Sequence, residues 1–218
     1  MKLLALMLSC VATVAFAQTR VEDARVPFPP RAVAGAASAS LGTLQKLAAG
    51  ENFRAFGFES AAEVRAAALE EPLAVYMVQL DDLRNYRAGT DPSSLLKRLD
   101  KVVFPVSVDK RVRSSITLEE RGGKWQATSF GAPALTQRLS DARSRALASH
   151  GVQPGGSFIV HVAALNAYFL GHRNGSQLML TAIADDSELR TRAGETQPAS
   201  EVFVALAEAA RRYNGLPR

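Results

Sequence analysis

The stretch RVRSSITLEERGGKWQATSFG, residues 111 to 131, decides the fold class. In its first half Val112, Ser114, Ile116 and Leu118 alternate with Arg111, Arg113, Ser115, Thr117 and Glu119. That is the period of two that turns one face of a strand to a core and the other to water. Gly122-Gly123 supplies a two-residue turn free to take positive φ at both positions, and KWQATSF returns as the next strand. Trp125, the only tryptophan in the chain, then falls on the face shared with Ile116 and Leu118, where a large ring anchors a meander. The functional alternative makes Trp125 a ligand platform beside Arg111 and Arg113. The alternation opposes that alternative, because it sets both arginines on the other face of their strand.

Upstream, VVFPVSV (102 to 108) reads as a strand joined to this hairpin at Asp109-Lys110. PLAVYMVQL, beginning at Pro72, is apolar on both faces and reads as a central strand covered on both sides. Between them, DDLRNYRAGTD is a polar stretch, and Asp91-Pro92 has the form of an N-cap with proline at the first helical position of a short helix, SSLLKRL. Before them, Ser60 and Glu63 form a capping box that opens a helix carrying Val64, Ala67, Ala68 and Leu69. A short helix is also expected around Leu44, Leu47 and Ala48.

Downstream, Leu135, Leu139, Ala142, Ala146 and Leu147 follow helical spacing up to Gly151. Three strands come next, SFIVHVAAL, AYFLGH and SQLMLTAIA, the last two joined through Asn174-Gly175. The closing segment PASEVFVALAEAARRY sets Val202, Leu206, Ala209, Ala210 and Tyr213 on one stripe of an amphipathic helix. Residues 71 to 83 and 156 to 168 both run helix, then proline or glycine, then strand (VYMVQL against VHVAAL), which makes them a candidate internal repeat. The expected fold is therefore α+β. It has antiparallel meanders of about six to seven strands, near 102 to 130 and 156 to 184, with three or four packed helices near 60 to 70, 134 to 149 and 198 to 213. GKWQATSFG also resembles the closing strands of cystatin-like and nuclear-transport-factor-like exported domains. That resemblance implies a helix packed on a curved antiparallel sheet and transfers no site residue.

The amino terminus, MKLLALMLSCVATVAFAQ, has one lysine, an apolar run from Leu3 to Ala17 and small residues at Ala15 and Ala17, the pattern of a secretory signal peptide cut between Ala17 and Gln18. The run is shorter than the roughly 20 residues a spanning helix needs. Leu8-Ser9-Cys10 also matches, loosely, the approach to a lipid-modified cysteine, but a cut there leaves an apolar stretch of only about seven residues, at the bottom of the usual range, so Cys10 is read as part of the discarded peptide. Cys10 is the only cysteine, so the mature chain has no disulfide and must rely on its core. The expected organisation is a signal peptide over 1 to 17, a flexible leader over 18 to 41, and one globular domain over 42 to 218. The mature protein is expected to be soluble and either periplasmic or secreted.

The chain has 26 basic and 21 acidic residues, with no basic run longer than a pair. Nucleic-acid recognition would want a clustered stripe and a recognisable module. With no cysteine in the mature chain, thiol catalysis is excluded. No nucleophile elbow is present, and the histidines, His150, His161 and His172, show no metal-ligand spacing. No cofactor or metal is expected. Asp81-Asp82, Asp91, and Asp185-Asp186 with Glu188 sit at element ends, where capping accounts for them. His161 draws notice as a titratable group in an apolar strand, against the plainer reading of a hydrogen-bonded histidine near the core. Arg111, Arg113, Trp125 and His161 are thus the candidate ligand-binding residues. The expected role is a non-catalytic binding module for an envelope protein or a small ligand. The alternatives are a hydrolase-type enzyme whose site is assembled only in the fold, and an inhibitor or chaperone-like domain working through a sheet edge.

Overall fold

The computed structural model describes residues 30 to 215; the segment read as a signal peptide, with Cys10, Ala17 and Gln18, lies outside them. The chain is α+β, five α-helices and a nine-stranded, mostly antiparallel sheet being described. The strands are β1 (Ala68–Leu69), β2 (Leu73–Met77), β3 (Lys97–Val108), β4 (Arg111–Arg121), β5 (Lys124–Phe130), β6 (Ser157–Val162), β7 (Ala167–Asn174), β8 (Gln177–Ala182) and β9 (Thr196–Pro198). The helices are α1 (Pro30–Leu47), α2 (Ala61–Ala66), α3 (Leu80–Asn85), α4 (Pro133–His150) and α5 (Ala199–Arg212). Across the sheet the order is β5-β4-β3-β2-β6-β7-β8-β9, with β1 paired to β3.

The two expected meanders are present, and the central strand is β2. Its pairing with β6 is parallel, Val75 opposite Ile159 and Met77 opposite His161. Each half then repeats one order of elements: β2, a helical link, β3-β4-β5, α4; and β6, a helical link, β7-β8-β9, α5. The two similar segments are these neighbouring strands. Val75 belongs to the α4-side core and Val160 to the α5-side core, so the halves correspond by a turn about the strand direction, which exchanges the faces of the sheet.

Face A, the side of Ala74 and Val102, carries α1 and α2 over one half and α3 and α5 over the other. Face B, the side of Leu73, Val75, Val103, Ile159 and Leu170, is covered by α4 through Leu139, Ala142 and Ala146. Both faces of β2 are thus buried, which explains why its sequence does not alternate.

Several local expectations are revised. Residues 30 to 41, read as leader, form the first part of α1, with Val33 and Ala37 buried. An Ala-rich segment is a good helix former, and a one-sided contact of small residues is enough to dock it. The capping box is present. The Glu63 N–H donates to Ser60 Oγ (3.2 Å), while Glu63 Oε2 accepts from the Glu59 N–H (2.8 Å), one residue before the cap. The helix stops at Ala66 because Ala68 and Leu69 pair with Ser107 and Val106. Of SSLLKRL only the start is helical, in a 3-10 turn over Pro92–Leu95 capped by Asp91; Lys97 onward is β3, whose ladder outcompetes a short helix. DDLRN, read as a polar link, forms most of α3.

The Gly122-Gly123 hairpin has φ of 59° and 76° at its two turn residues. The β3–β4 turn uses the same left-handed pair at Asp109 (49°) and Lys110 (64°), which costs Lys more than Asp. Lys110→Gly should therefore raise stability by about 0.5–1 kcal/mol. The check is a higher urea midpoint at unchanged m-value.

Candidate functional site

The four candidate residues do not converge. Trp125 lies opposite Glu120 at one end of β4 and packs on the face A core with Ile116 and Leu118, as the alternation implied. Arg111 pairs with Val108 at the other end, some 30 Å away at about 3.3 Å per residue. The clean alternation of β4 is interrupted. Val106 faces Ser114, yet Ser107 faces Val112, so Arg113 is the extra residue of a β-bulge. The bulge turns its guanidinium to α2, where Nη1 meets Glu59 (2.7 Å) and Nη2 meets Glu63 (2.7 Å). Burial opposes the Arg113 charge, but the hydrogen bonds and charges of Glu59 and Glu63 outweigh it and hold its pKa above the usual arginine value. Arg113 ties α2 to the sheet.

His161 occupies a different setting. It sits on β6 between Met77 of β2 and Tyr168 of β7, on face B. Its ring stacks on Tyr168 at 4.0 Å between centroids and 8° between planes. This is the end of the sheet that α4 does not cross. Leu99, Val103 and Tyr168 edge the α4-side core while remaining half-buried. Lys101 and Glu119 face each other across β3 and β4, joined at 2.8 Å, and Arg121 reaches the other oxygen of Glu119 at 2.9 Å. The hydrogen bond from Lys101, then that from Arg121, holds the Glu119 carboxyl below the usual range.

The position has a topological reason. β2 and β6 are parallel neighbours, and the chain leaves β2 toward β3 on one side and β6 toward β7 on the other. In doubly wound α/β sheets ligands bind at the carboxyl ends where strand order diverges; here a single parallel pair within a mostly antiparallel sheet has that local arrangement. His161 lies at that divergence. The partner missed in the sequence, Tyr168, is readable only through register: a turn at Ala163–Leu165 brings residues 161 and 168 opposite each other.

Burial, then the positive charge of Lys101, lowers the His161 pKa below its ordinary value. The unfolded chain therefore binds more protons than the folded one between that lowered value and about 6.5. Stability contributed by the neutral imidazole is present above about pH 6.5 and is lost as pH falls through this window. Unfolding midpoints of His161→Gln should fall less steeply on acidification than those of the parent, and an NMR titration of the ring should give a midpoint below about 6.5.

The other polar positions are enclosed. His172, beside the Gly175 turn, is fully buried on β7 opposite Ser157, itself 2% exposed, and Ser157 Oγ has no hydrogen-bond partner among the described residues. A substrate has no path to either. Among the described residues no three His, Cys, Asp or Glu side chains are grouped to hold a metal, and no helix is long and apolar enough to cross a membrane. No family model matches the chain, and no curated protein or solved structure matches it.

Proposed function

We propose that this chain is an exported, non-catalytic binding module, acting in the periplasm or outside the cell, and that it presents the open half of face B to a partner. The observation that carries this reading is the stacked His161–Tyr168 pair, held at the diverging carboxyl ends of β2 and β6 beside half-buried Met77, Leu99 and Val103. Apolar and aromatic side chains left half-buried beyond the edge of α4 support an interaction site there. The amino-terminal apolar run with Ala15 and Ala17 supports export.

Amino-terminal sequencing of the protein recovered from the envelope or the medium should begin at Gln18. Mild crosslinking in that fraction, followed by capture and mass spectrometry, should retain a stoichiometric partner with the parent chain. A double variant, His161→Ala with Tyr168→Ala, should lose that partner while still unfolding cooperatively, at a melting temperature lowered by the lost ring packing. Equal retention by both would remove face B from consideration. An inhibitor-like role is the second reading, favoured by β5, which ends the sheet with no neighbour on its outer side among the described residues. There, retention would depend on the β5 backbone and not on His161.

A further inference from the structure

The kind of partner follows from what covers the two faces. Face A has a helix over each half of the sheet, α1 beside β4 and β5 and α5 beside β8. Face B has α4 alone among the described helices. Beyond α4, face B has a half-buried apolar strip, Met77, Leu99 and Val103 with the His161–Tyr168 pair, and a charged margin. Lys97, Lys101, Arg121 and Lys124 contribute cations on this side, set by the register pairs Met77 with Lys97, Lys101 with Glu119, and Arg121 with Lys124.

Among the described residues, two carboxylates answer those four cations. Asp82 takes Lys97 at 2.6 Å, and Glu119 is shared by Lys101 and Arg121. Lys124 is exposed and has no ion-pair partner among the described residues. The margin thus carries a surplus of positive charge around an apolar strip. The two described cavities are both on face A, one lined by Phe169, Leu180 and Val202 and the other by Tyr86, Val204 and Ala207. The site on face B is sheet surface of the kind that α4 covers elsewhere on the same face.

We infer that the open half of face B docks an acidic amphipathic helix of a protein partner. Its apolar stripe lies on Met77, Leu99, Val103 and the His161–Tyr168 pair, and its flanking carboxylates meet Lys101, Arg121 and Lys124. This rests on the reading of face B as the binding surface and names what fills it. An apolar stripe satisfies the half-buried side chains, and acidic flanks satisfy the charge surplus.

The test uses labelled helical peptides of 18 residues, the length of α4, each with a leucine stripe, one flanked by glutamate and its counterpart by lysine. Dextran sulfate and phosphatidylglycerol vesicles serve as competing probes. Binding is read by fluorescence anisotropy and by amide shifts of the full mature chain. The expected result is shifts at Met77, Lys101, Glu119, His161 and Tyr168 with the glutamate peptide only. Combined Arg121→Glu and Lys124→Glu, both at exposed positions, should weaken that peptide at least about 10-fold and favour the lysine peptide, with Arg121→Gln and Lys124→Gln giving the same direction without placing new carboxylates beside Glu119. Equal binding of both peptides, or shifts confined to face A, overturns the inference. Shifts on face B with dextran sulfate or vesicles but not with the peptide overturn the helical partner and leave the binding surface standing. If no probe perturbs face B, both readings fail.

Discussion

Gly57→Ala is expected to cost about 3–5 kcal/mol, a large fraction of the stability of a domain of this size. Gly57 ends the 3-10 turn over Asn52–Phe56 with φ of 91°, and its N–H donates to the Arg54 carbonyl at 3.0 Å. A Cβ there would overlap the carbonyl oxygen of Arg113 and stand 2.8 Å from Cβ of Pro133. Neither obstacle is a flexible side-chain tip. Arg113 is the bulge residue of β4, and Pro133 starts α4, so relief would have to move the sheet or a helix. Gly89 supplies the control: its φ is 90° and nothing lies within 4 Å of an added Cβ. Gly89→Ala should therefore cost only the left-handed backbone term, about 1 kcal/mol. Denaturant unfolding of the two variants separates the terms. Equal losses at both positions would show that the close approach at Gly57 is not present.

The second large effect is expected at Arg143. It lies in α4, 6% exposed, with Nη1 donating to the Glu71 carbonyl at 2.7 Å and Nη2 to Glu70 Oε2 at 2.8 Å. The fork fastens the only helix on face B among the described residues to the segment joining β1 and β2. Arg143→Ala removes both bonds, leaves a void among buried neighbours and strands the Glu70 carboxylate. The expected loss is about 2–4 kcal/mol, below the upper range for fully buried pairs because the Glu70 side chain remains 24% exposed. Arg143→Lys should recover little, since one ammonium cannot serve both acceptors in that geometry. Arg143→Met keeps volume without charge and should fall between the two. If Arg143→Lys were as stable as the parent, the bidentate account would be wrong.

Neither residue was legible as important in the sequence. Gly57 stands in an unremarkable stretch, and its constraint comes from backbone more than fifty residues away. Arg143 occupies a helical position one turn from Leu139, where a cation is ordinarily solvated, and its acceptors lie seventy-two and seventy-three residues earlier. The candidate site was half legible. His161 could be singled out as a titratable ring in an apolar strand, while Tyr168, Lys101 and Glu119 joined it only through strand register. Arg113 shows the opposite case. Alternation gave it a solvent-facing position, and a bulge, which leaves no certain local mark, turned it onto a glutamate pair.

What the sequence by itself determined is what short-range physics encodes. The period of two and the Gly122-Gly123 turn specify the β4–β5 hairpin, Ser60 with Glu63 specifies the start of α2, and the stripe from Val202 to Ala210 specifies α5. These depend on neighbours within a few residues, where side-chain direction and turn dihedrals are decided. What only the tertiary structure decided is the pairing at a distance. It set β2 parallel to β6, recruited residues 30 to 47 as a helix over β4 and β5, and left part of face B open beside His161 and Tyr168. Those outcomes depend on which apolar faces meet across the whole chain, and a buried strand that is apolar on both sides, such as β2, carries no local signal of its partner or direction.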